Sequence, residues 1–347
     1  MKLKQISLSN SPLLRLFTLC ILYVAQGIPY GFVTVTFAAY LASQGESAAA
    51  IGTLTANAVL PWAFKWIWGP IIDSFGVPSM GRRRPWILFA QSGMILSVIC
   101  MAFVPHPEIN LKLIGYLVFI HNIFSSLQDV AVDALAVDLL NESERGRANG
   151  FMYGSKSFGV FLGGAFLSRF VNDDMSIAFA IQTLLLIFIM LFPLILKERV
   201  GEKILPWSKG TSQLDESEKL ADNAIKLFMY LIKAFSIRST ILTAFIGFFI
   251  FIASGILGPI NLVLIIQDLG WSRIELTDIE GGYGVFLGIV GAVFGGILSD
   301  IFGAKKIAII GSLILGITYL FFGLSSPGQE IFWLDWNYKP LVIFYIL

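Results

Sequence analysis

Gly69-Pro70-Ile71-Ile72-Asp73-Ser74-Phe75-Gly76, followed closely by Arg82, Arg83 and Arg84, returns later in the chain as Gly296-Ile297-Leu298-Ser299-Asp300-Ile301-Phe302-Gly303, followed by Lys305 and Lys306. Each copy joins two long apolar segments. The chain therefore reads as a duplicated bundle of membrane helices, an internal repeat of the kind on which alternating-access transporters are built.

Working outward from the repeat, composition excludes a soluble protein: 56% of the 347 residues are hydrophobic and only 14% are charged. The few charges gather in short clusters between runs that a bilayer accepts. A membrane-spanning helix needs about 20 apolar residues. Nine such runs are present, near Leu13 to Tyr40, Ala50 to Ile72, Trp86 to Val104, Leu113 to Leu140, Ala148 to Phe170, Ile177 to Leu196, Ser239 to Gln267, Asp278 to Ile301 and Lys306 to Leu324. The expected class is an all-α integral membrane protein of two pseudo-symmetric six-helix bundles, with residues 1–196 as the N-terminal bundle, 197–238 as a polar cytoplasmic linker and 239–347 as an incomplete C-terminal bundle. Asp300 follows Asp73 by 300 minus 73, or 227, positions, an offset that carries the fourth helix to a tenth near Leu341. The chain thus reads as truncated after nine helices plus the start of a tenth; an uneven nine-helix protein with a stub is the alternative.

Basic residues favour the cytoplasmic side of a membrane. With the N-terminus inside, that side collects Lys2, Lys4, Arg15, Arg82, Arg83, Arg84, Arg145, Arg147, the basic residues of the linker, Lys305 and Lys306, and the outer side keeps Lys112, Arg169, Arg273 and Lys339. A multi-pass protein with a cytoplasmic N-terminus follows, in the inner membrane if the host is bacterial. The first apolar run is too long for a cleaved signal peptide. Cys20 and Cys100 fall near opposite faces, which disfavours both a disulfide and shared metal ligation.

Helical wheels at roughly 100° per residue place Asn122, Ser125, Ser126, Asp129 and Asp133 in one sector of the fourth helix and Tyr23, Gln26, Gly27, Tyr30 and Thr34 in one sector of the first. The seventh helix has a weaker stripe in Thr240, Thr243, Gly247, Ser254, Gly258 and Asn261. Such stripes face another helix or a water-filled cavity rather than lipid. Lys65, Asp129, Asp133 and Lys156 each lie about 5 to 10 Å to the cytoplasmic side of their helix midpoints at the helical rise. Two cations and two anions in one layer predict mutual pairing, and either a neutral helix-holding cluster or a site where a lysine meets an anionic substrate while an aspartate exchanges a proton. The candidate substrate and coupling residues are Gln26, Tyr30, Lys65, Asn122, Asp129, Asp133 and Lys156.

Glycines at helical spacing, Gly284, Gly288, Gly291 and Gly295 in one seam and Gly159 with Gly163 in another, predict close helix contacts. Gly27-Ile28-Pro29 and Gly258-Pro259 interrupt the first and seventh helices at related places, which points toward a binding site between the halves. An intramembrane enzyme would need a nucleophile, a histidine dyad or a metal cluster; the chain has only His106, in an outer loop, and His121, off the polar face of the fourth helix. No Gly-Lys-Ser or Gly-Lys-Thr phosphate loop is present, which argues against an ATP-driven pump. A receptor or non-transporting scaffold stays open.

Gly69 to Asp73 with Gly81-Arg82-Arg83-Arg84, repeated less fully at Gly296 to Asp300, resembles the loop motif of the major facilitator superfamily. The finer pattern is similar to the branch holding bacterial anhydromuropeptide permeases and acetyl-coenzyme A transporters. It consists of Gly27-Ile28-Pro29, Phe64-Lys65-Trp66-Ile67-Trp68-Gly69-Pro70, Gly81-Arg82-Arg83-Arg84-Pro85-Trp86 with Gln91, Gln128-Asp129-Val130-Ala131-Val132-Asp133 continuing to Asp138, and Glu144-Arg145-Gly146. The resemblance implies the major facilitator fold, a non-enzymatic secondary transporter, and a cytoplasmic gate of Asp73, Arg82, Arg83, Arg84, Glu144, Arg145 and Asp300. The implied solute is a muropeptide-like glycan fragment, with acetyl-coenzyme A or another acyl carrier as the alternative. No cofactor is expected beyond a proton as coupling ion. The expected partners are the bilayer and the solute, with no nucleic acid and a monomeric state.

Overall fold

The computed structural model describes residues 7–171, 175–208 and 224–324. Helices occupy all nine apolar runs, and among the described residues the only extended pairing is an isolated bridge between Ser7 and Lys197. Helix α1 runs through Pro12–Ser43. Helix α2 is Ala48–Ala63 with a 3-10 turn at Lys65–Ile67 and a last segment at Trp68–Ser74; α3 is Arg84–Ala102 and α4 is Leu111–Leu139. Helix α5 starts as Glu142–Phe161 and continues irregularly to Phe170, and α6 is Ser176–Ile195. A short helix α7, Ala224–Ala234, precedes α8 (Arg238–Val263, extended by Leu264–Asp268), α9 (Arg273–Asp278, Ile279–Tyr283 and Gly284–Phe302) and α10 (Ala304–Leu324). Residues 325–347 lie outside the described residues, and with them the expected start of a further helix.

Local chemistry sets the starts. Ser11 caps α1, with Pro12 in the first turn, Ser47 caps α2, and Asn141 with Glu144 forms a capping box at α5. A second box, Ser272 with Glu275, starts α9. These side chains satisfy amide groups that a first helical turn leaves without partners.

Two prolines shape the halves alike. Pro29 lies inside α1 just before a π-helical stretch at Phe32–Phe37, and Pro259 lies inside α8 just before one at Leu264–Asp268. A proline inside a helix removes one hydrogen bond and clashes with the turn before it, and a widened turn absorbs the misfit.

The tightest crossing is α1 against α5. A Cβ on Gly27 would stand 2.8 Å from the Gly159 Cα, and one on Gly163 would stand 2.7 Å from the Phe32 amide nitrogen. The Thr36 hydroxyl spans the same crossing, donating to the Gly163 and Gly164 carbonyls at 2.8 and 2.7 Å. The predicted glycine seam on α9 behaves differently, because among the described residues a Cβ on Gly288, Gly291 or Gly295 would meet nothing within 4 Å. Large apolar side chains such as Leu184, Phe188 and Ile195 on α6 and Phe249 and Phe251 on α8 are exposed, as lipid-facing surfaces require.

The halves touch at the end opposite the arginines. There Arg169 pairs with Asp278 at 2.7 Å, Thr277 meets the Ser168 hydroxyl at 3.0 Å, and Gln267 donates to the Ala42 and Glu46 carbonyls at 2.9 and 3.0 Å. The start of the predicted linker is not a free tether: the Leu8 and Ser9 amides donate to the Lys197 and Glu198 carbonyls, each at 2.9 Å, and the Lys203 amide donates to the Ser79 carbonyl at 2.7 Å. Further on, Phe228 and Phe235 bring α7 and its end against Trp66 of α2.

Candidate functional site

The polar stripe of α4 is read by two neighbours. Towards α2 it forms a ladder: the Trp62 indole donates to Asn122 Oδ1 at 3.0 Å, the Trp68 indole to Ser126 Oγ at 3.1 Å, and Lys65 Nζ to Asp129 Oδ2 at 2.7 Å. Towards α1, the Tyr23 hydroxyl donates to Asp133 Oδ1. Of the two surroundings expected for the stripe, another helix or a water-filled cavity, helix packing takes much of its length. Asp129 is almost fully buried, at 4% side-chain exposure, whereas Lys65 is 43% exposed.

The four predicted charges do share one region but do not all pair. Lys65 takes Asp129, Asp133 takes Tyr23, and among the described residues Lys156 makes no ion pair. Its Nζ stands instead 4.4 Å from the centroid of the Trp62 ring. Lys65 Nζ is 5.9 Å from the same ring. Of the other candidates, Asn122 is committed to Trp62, with its Nδ2 donating to the Val118 carbonyl at 2.9 Å. Gln26 is buried, with neither side-chain polar atom partnered among the described residues, and Tyr30 is 39% exposed. Tyr23 and Trp62 were missed as site residues; Tyr23 had a signal in its place on the α1 stripe, and Trp62 had none.

The arginine cluster divides by role. Arg83 joins α2 to α4, donating to Asp73 Oδ1 at 2.5 Å and to Asp138 Oδ2 at 2.7 Å, and Arg82 adds a 3.3 Å contact to Asp73. Asp138 is thus the α4 carboxylate that meets this cluster, through Arg83. Arg84 is 1% exposed and spends its guanidinium on carbonyls, those of Leu194 and Ile204 at 2.7 Å and of Pro193 and Lys203 among them. It closes the C-terminal turn of α6, whose last carbonyls have no helical partner, and is not free to serve in a moving latch. Glu144 pairs with Arg15 on α1 at 3.2 Å, not with Arg145, which donates to the Val137 carbonyl. The side chain of Asp300 lies outside the described residues.

A buried carboxylate pair completes this end, and the sequence reading overlooked it. Glu198 accepts the amides of Arg82, Arg83 and Arg84, at 3.0, 2.8 and 2.5 Å, at the start of α3. Amides at a helix start attract an anion. Gly81 makes the approach possible: its φ is +108°, and a Cβ there would stand 2.6 Å from Glu198 Oε1. Glu202 is also fully buried; its Oε2 accepts the Glu198 amide at 2.9 Å and its Oε1 has no partner among the described residues.

Burial, and then the neighbouring Glu198 carboxylate, push the Glu202 carboxyl up to about 7, and burial raises Glu198 against the pull of the three amides. A carboxyl raised on folding stabilises the protein fully below its unfolded value near 4.5, and that contribution is lost as pH rises through about 7. The melting temperature of the solubilised protein is therefore expected to fall between about pH 5 and pH 8, by the equivalent of roughly 3 kcal/mol. Glu202→Gln should flatten the curve; an unchanged slope in that variant rules Glu202 out as its source.

Comparison with known proteins is consistent with this geometry. Residues 19–346 match the family model described as Major Facilitator Superfamily. The chain is 28% identical over 316 residues to the putative transporter AmpG 4 of Rickettsia conorii, covering 89% of this chain and 73% of that protein. It is 30% identical over 145 residues to the anhydromuropeptide permease of Escherichia coli K12, covering 40% of this chain and 29% of that protein. Among solved structures, a D-xylose-proton symporter superposes with a TM-score of 0.61 at 16% identity, over 95% of this chain and 78% of that one. A peptide transporter solved in complex with alafosfalin superposes with a TM-score of 0.53 at 13% identity, over the same shares. At such identities the two structures speak for the fold alone.

Proposed function

Since the chain belongs to the major facilitator superfamily, a family of multi-pass membrane transporters, we propose that it moves a large anionic solute of the muropeptide type by alternating access coupled to protons. One observation carries the choice of an anion: Lys156, in the membrane layer of the bundle, rests on an aromatic face while its neighbours Lys65 and Asp133 have oxygen partners. A cation in that layer is costly unless it is paired or hydrated, so an anionic group arriving there gains an opposite charge at little cost in broken contacts. The names of the relatives AmpG 4 and anhydromuropeptide permease support the muropeptide class.

Coupling is assigned to the aspartates. A proton bound by Asp129 weakens its hold on Lys65 and frees that ammonium for the solute; release of the proton restores the pair. Arg83, held between Asp73 and Asp138, is the proposed cytoplasmic latch. Contacts between the halves at the end opposite the arginines support a state open toward the arginine end, and the charge asymmetry supports a cytoplasmic location for that end.

Solute counterflow in proteoliposomes tests the function. Labelled anhydromuropeptide should exchange, and excess unlabelled anhydromuropeptide should compete better than acetyl-coenzyme A. Competition in the reverse order transfers the assignment to the acyl carrier, and absence of any exchange removes the transport reading. Orientation is tested separately. Ser47→Cys should react with an impermeant thiol reagent from outside intact cells and Ser208→Cys should not; labelling of the second overturns the cytoplasmic N-terminus.

A further inference from the structure

Three indoles sit close together on α2. Trp66 is engaged edge-on by Phe228 and Phe235, and Trp68 is tied to Ser126. Trp62 differs, since its ring face is met by an ammonium, Lys156 Nζ at 4.4 Å from the centroid. Its orientation is set from the edge: the ring N–H donates to Asn122 Oδ1, and Asn122 is itself held by the Val118 carbonyl. Rigid edge and occupied face together describe a platform with a removable cover.

We propose that Trp62 is the ring-binding platform of the solute site and that Lys156 covers it until a solute carboxylate draws the ammonium away. This rests on the muropeptide reading and sharpens it to a fragment that carries a free carboxylate close to its sugar ring. An ammonium over an indole gains a cation–π attraction, but a carboxylate offers a full opposite charge and charge-assisted hydrogen bonds, so the anion wins Lys156. The indole face then loses its partner. An uncovered indole face is best filled by another apolar face, and the C–H face of a pyranose supplies one while its hydroxyl groups stay free for polar partners. Both halves of the exchange occur only when carboxylate and ring belong to one molecule and lie a few ångströms apart. A plain organic acid moves Lys156 and leaves the indole bare, and a neutral sugar finds the indole covered. Selectivity for an acidic sugar thus arises from one lysine and one tryptophan.

Binding titrations on the 347-residue chain in nanodiscs, with N-acetylmuramic acid, N-acetylglucosamine and coenzyme A as probes, test this. The parent should bind N-acetylmuramic acid at least about tenfold more tightly than N-acetylglucosamine. Lys156→Met should remove that preference, weakening the acidic sugar and, with the cover gone, leaving N-acetylglucosamine bound at least as tightly as by the parent. Trp62→Ala and Trp62→Leu, the second keeping the volume without the ring, should each weaken N-acetylmuramic acid by about tenfold, whereas Trp62→Phe should stay within about threefold of the parent. If Trp62 is only a strut between α2 and α4, loss of the N–H to Asn122 makes Trp62→Phe as damaging as Trp62→Leu, and that result overturns the platform. So does a Trp62→Leu protein, monodisperse on size exclusion, that binds within about threefold of the parent. Failure of the solute reading looks different: the parent then binds neither sugar, with or without binding coenzyme A, and the platform for an acidic sugar falls with it.

Discussion

Asp129→Asn is expected to abolish accumulation driven by a pH gradient while leaving downhill exchange partly intact. The aspartate is buried against Lys65 at 2.7 Å, so its proton and the lysine compete for the same oxygen. Asparagine keeps the shape and removes the charge. Breaking a buried ion pair costs about 3 to 5 kcal/mol when the surviving charge stays buried. Here the survivor, Lys65, is 43% exposed and can be hydrated, so the variant is expected to fold. Lys65→Ala should by contrast reduce both uphill uptake and exchange. Normal gradient-driven uptake per folded Asp129→Asn molecule would exclude Asp129 as the coupling residue and pass the test to Asp133, whose partner is Tyr23 rather than a lysine.

Gly163→Val is expected to have the largest effect on stability. The new Cβ would sit 2.7 Å from the Phe32 nitrogen and 2.9 Å from the Ile28 carbonyl carbon. Both are backbone atoms of α1, which cannot swing aside as a side chain can. Separating α1 from α5 also breaks the Thr36 hydrogen bonds to Gly163 and Gly164, so a loss above roughly 4 kcal/mol is expected, in the range reserved for overpacking at a core contact. Gly288→Ala, with no described residue within 4 Å of its new methyl group, is the control. Thermal unfolding followed by size exclusion in detergent separates the two, and a Gly163→Val protein as stable as the control would show that the crossing can relax.

How legible these features were depended on the distance over which their chemistry acts. The Gly159 and Gly163 seam was visible as a spacing, and so was the seam at Gly288, Gly291 and Gly295, yet only the first meets a neighbour among the described residues. Spacing records that a helix face is smooth and says nothing of what lies on it. The α4 stripe was equally visible, but its reading as a face toward water or a neighbour was left open, and Trp62, Lys65 and Trp68 of α2 occupy most of it. Arg82, Arg83 and Arg84 look equivalent in sequence. They separate only because α3 begins where the α6 end, Asp73 and Asp138 converge, so that Arg84 caps a helix while Arg83 bridges two others.

The sequence alone determined the helical spans, their duplication, the paired interruptions at Pro29 and Pro259 and the presence of charge in the membrane layer. All of these follow from interactions within about one helical turn or from the demand that a span of about 20 residues be apolar. Tertiary structure decided the partners. Lys65 and Asp129 are 64 positions apart, Tyr23 and Asp133 are 110 apart, and Glu198 reaches the Arg83 amide across 115. Which of several carboxylates a lysine meets depends on how helices rotate and cross, and a rotation of one residue, about 100°, exchanges one partner for another. That rotation is set by close contacts such as Gly27 on Gly159, and it left Lys156 facing an indole in place of an acid.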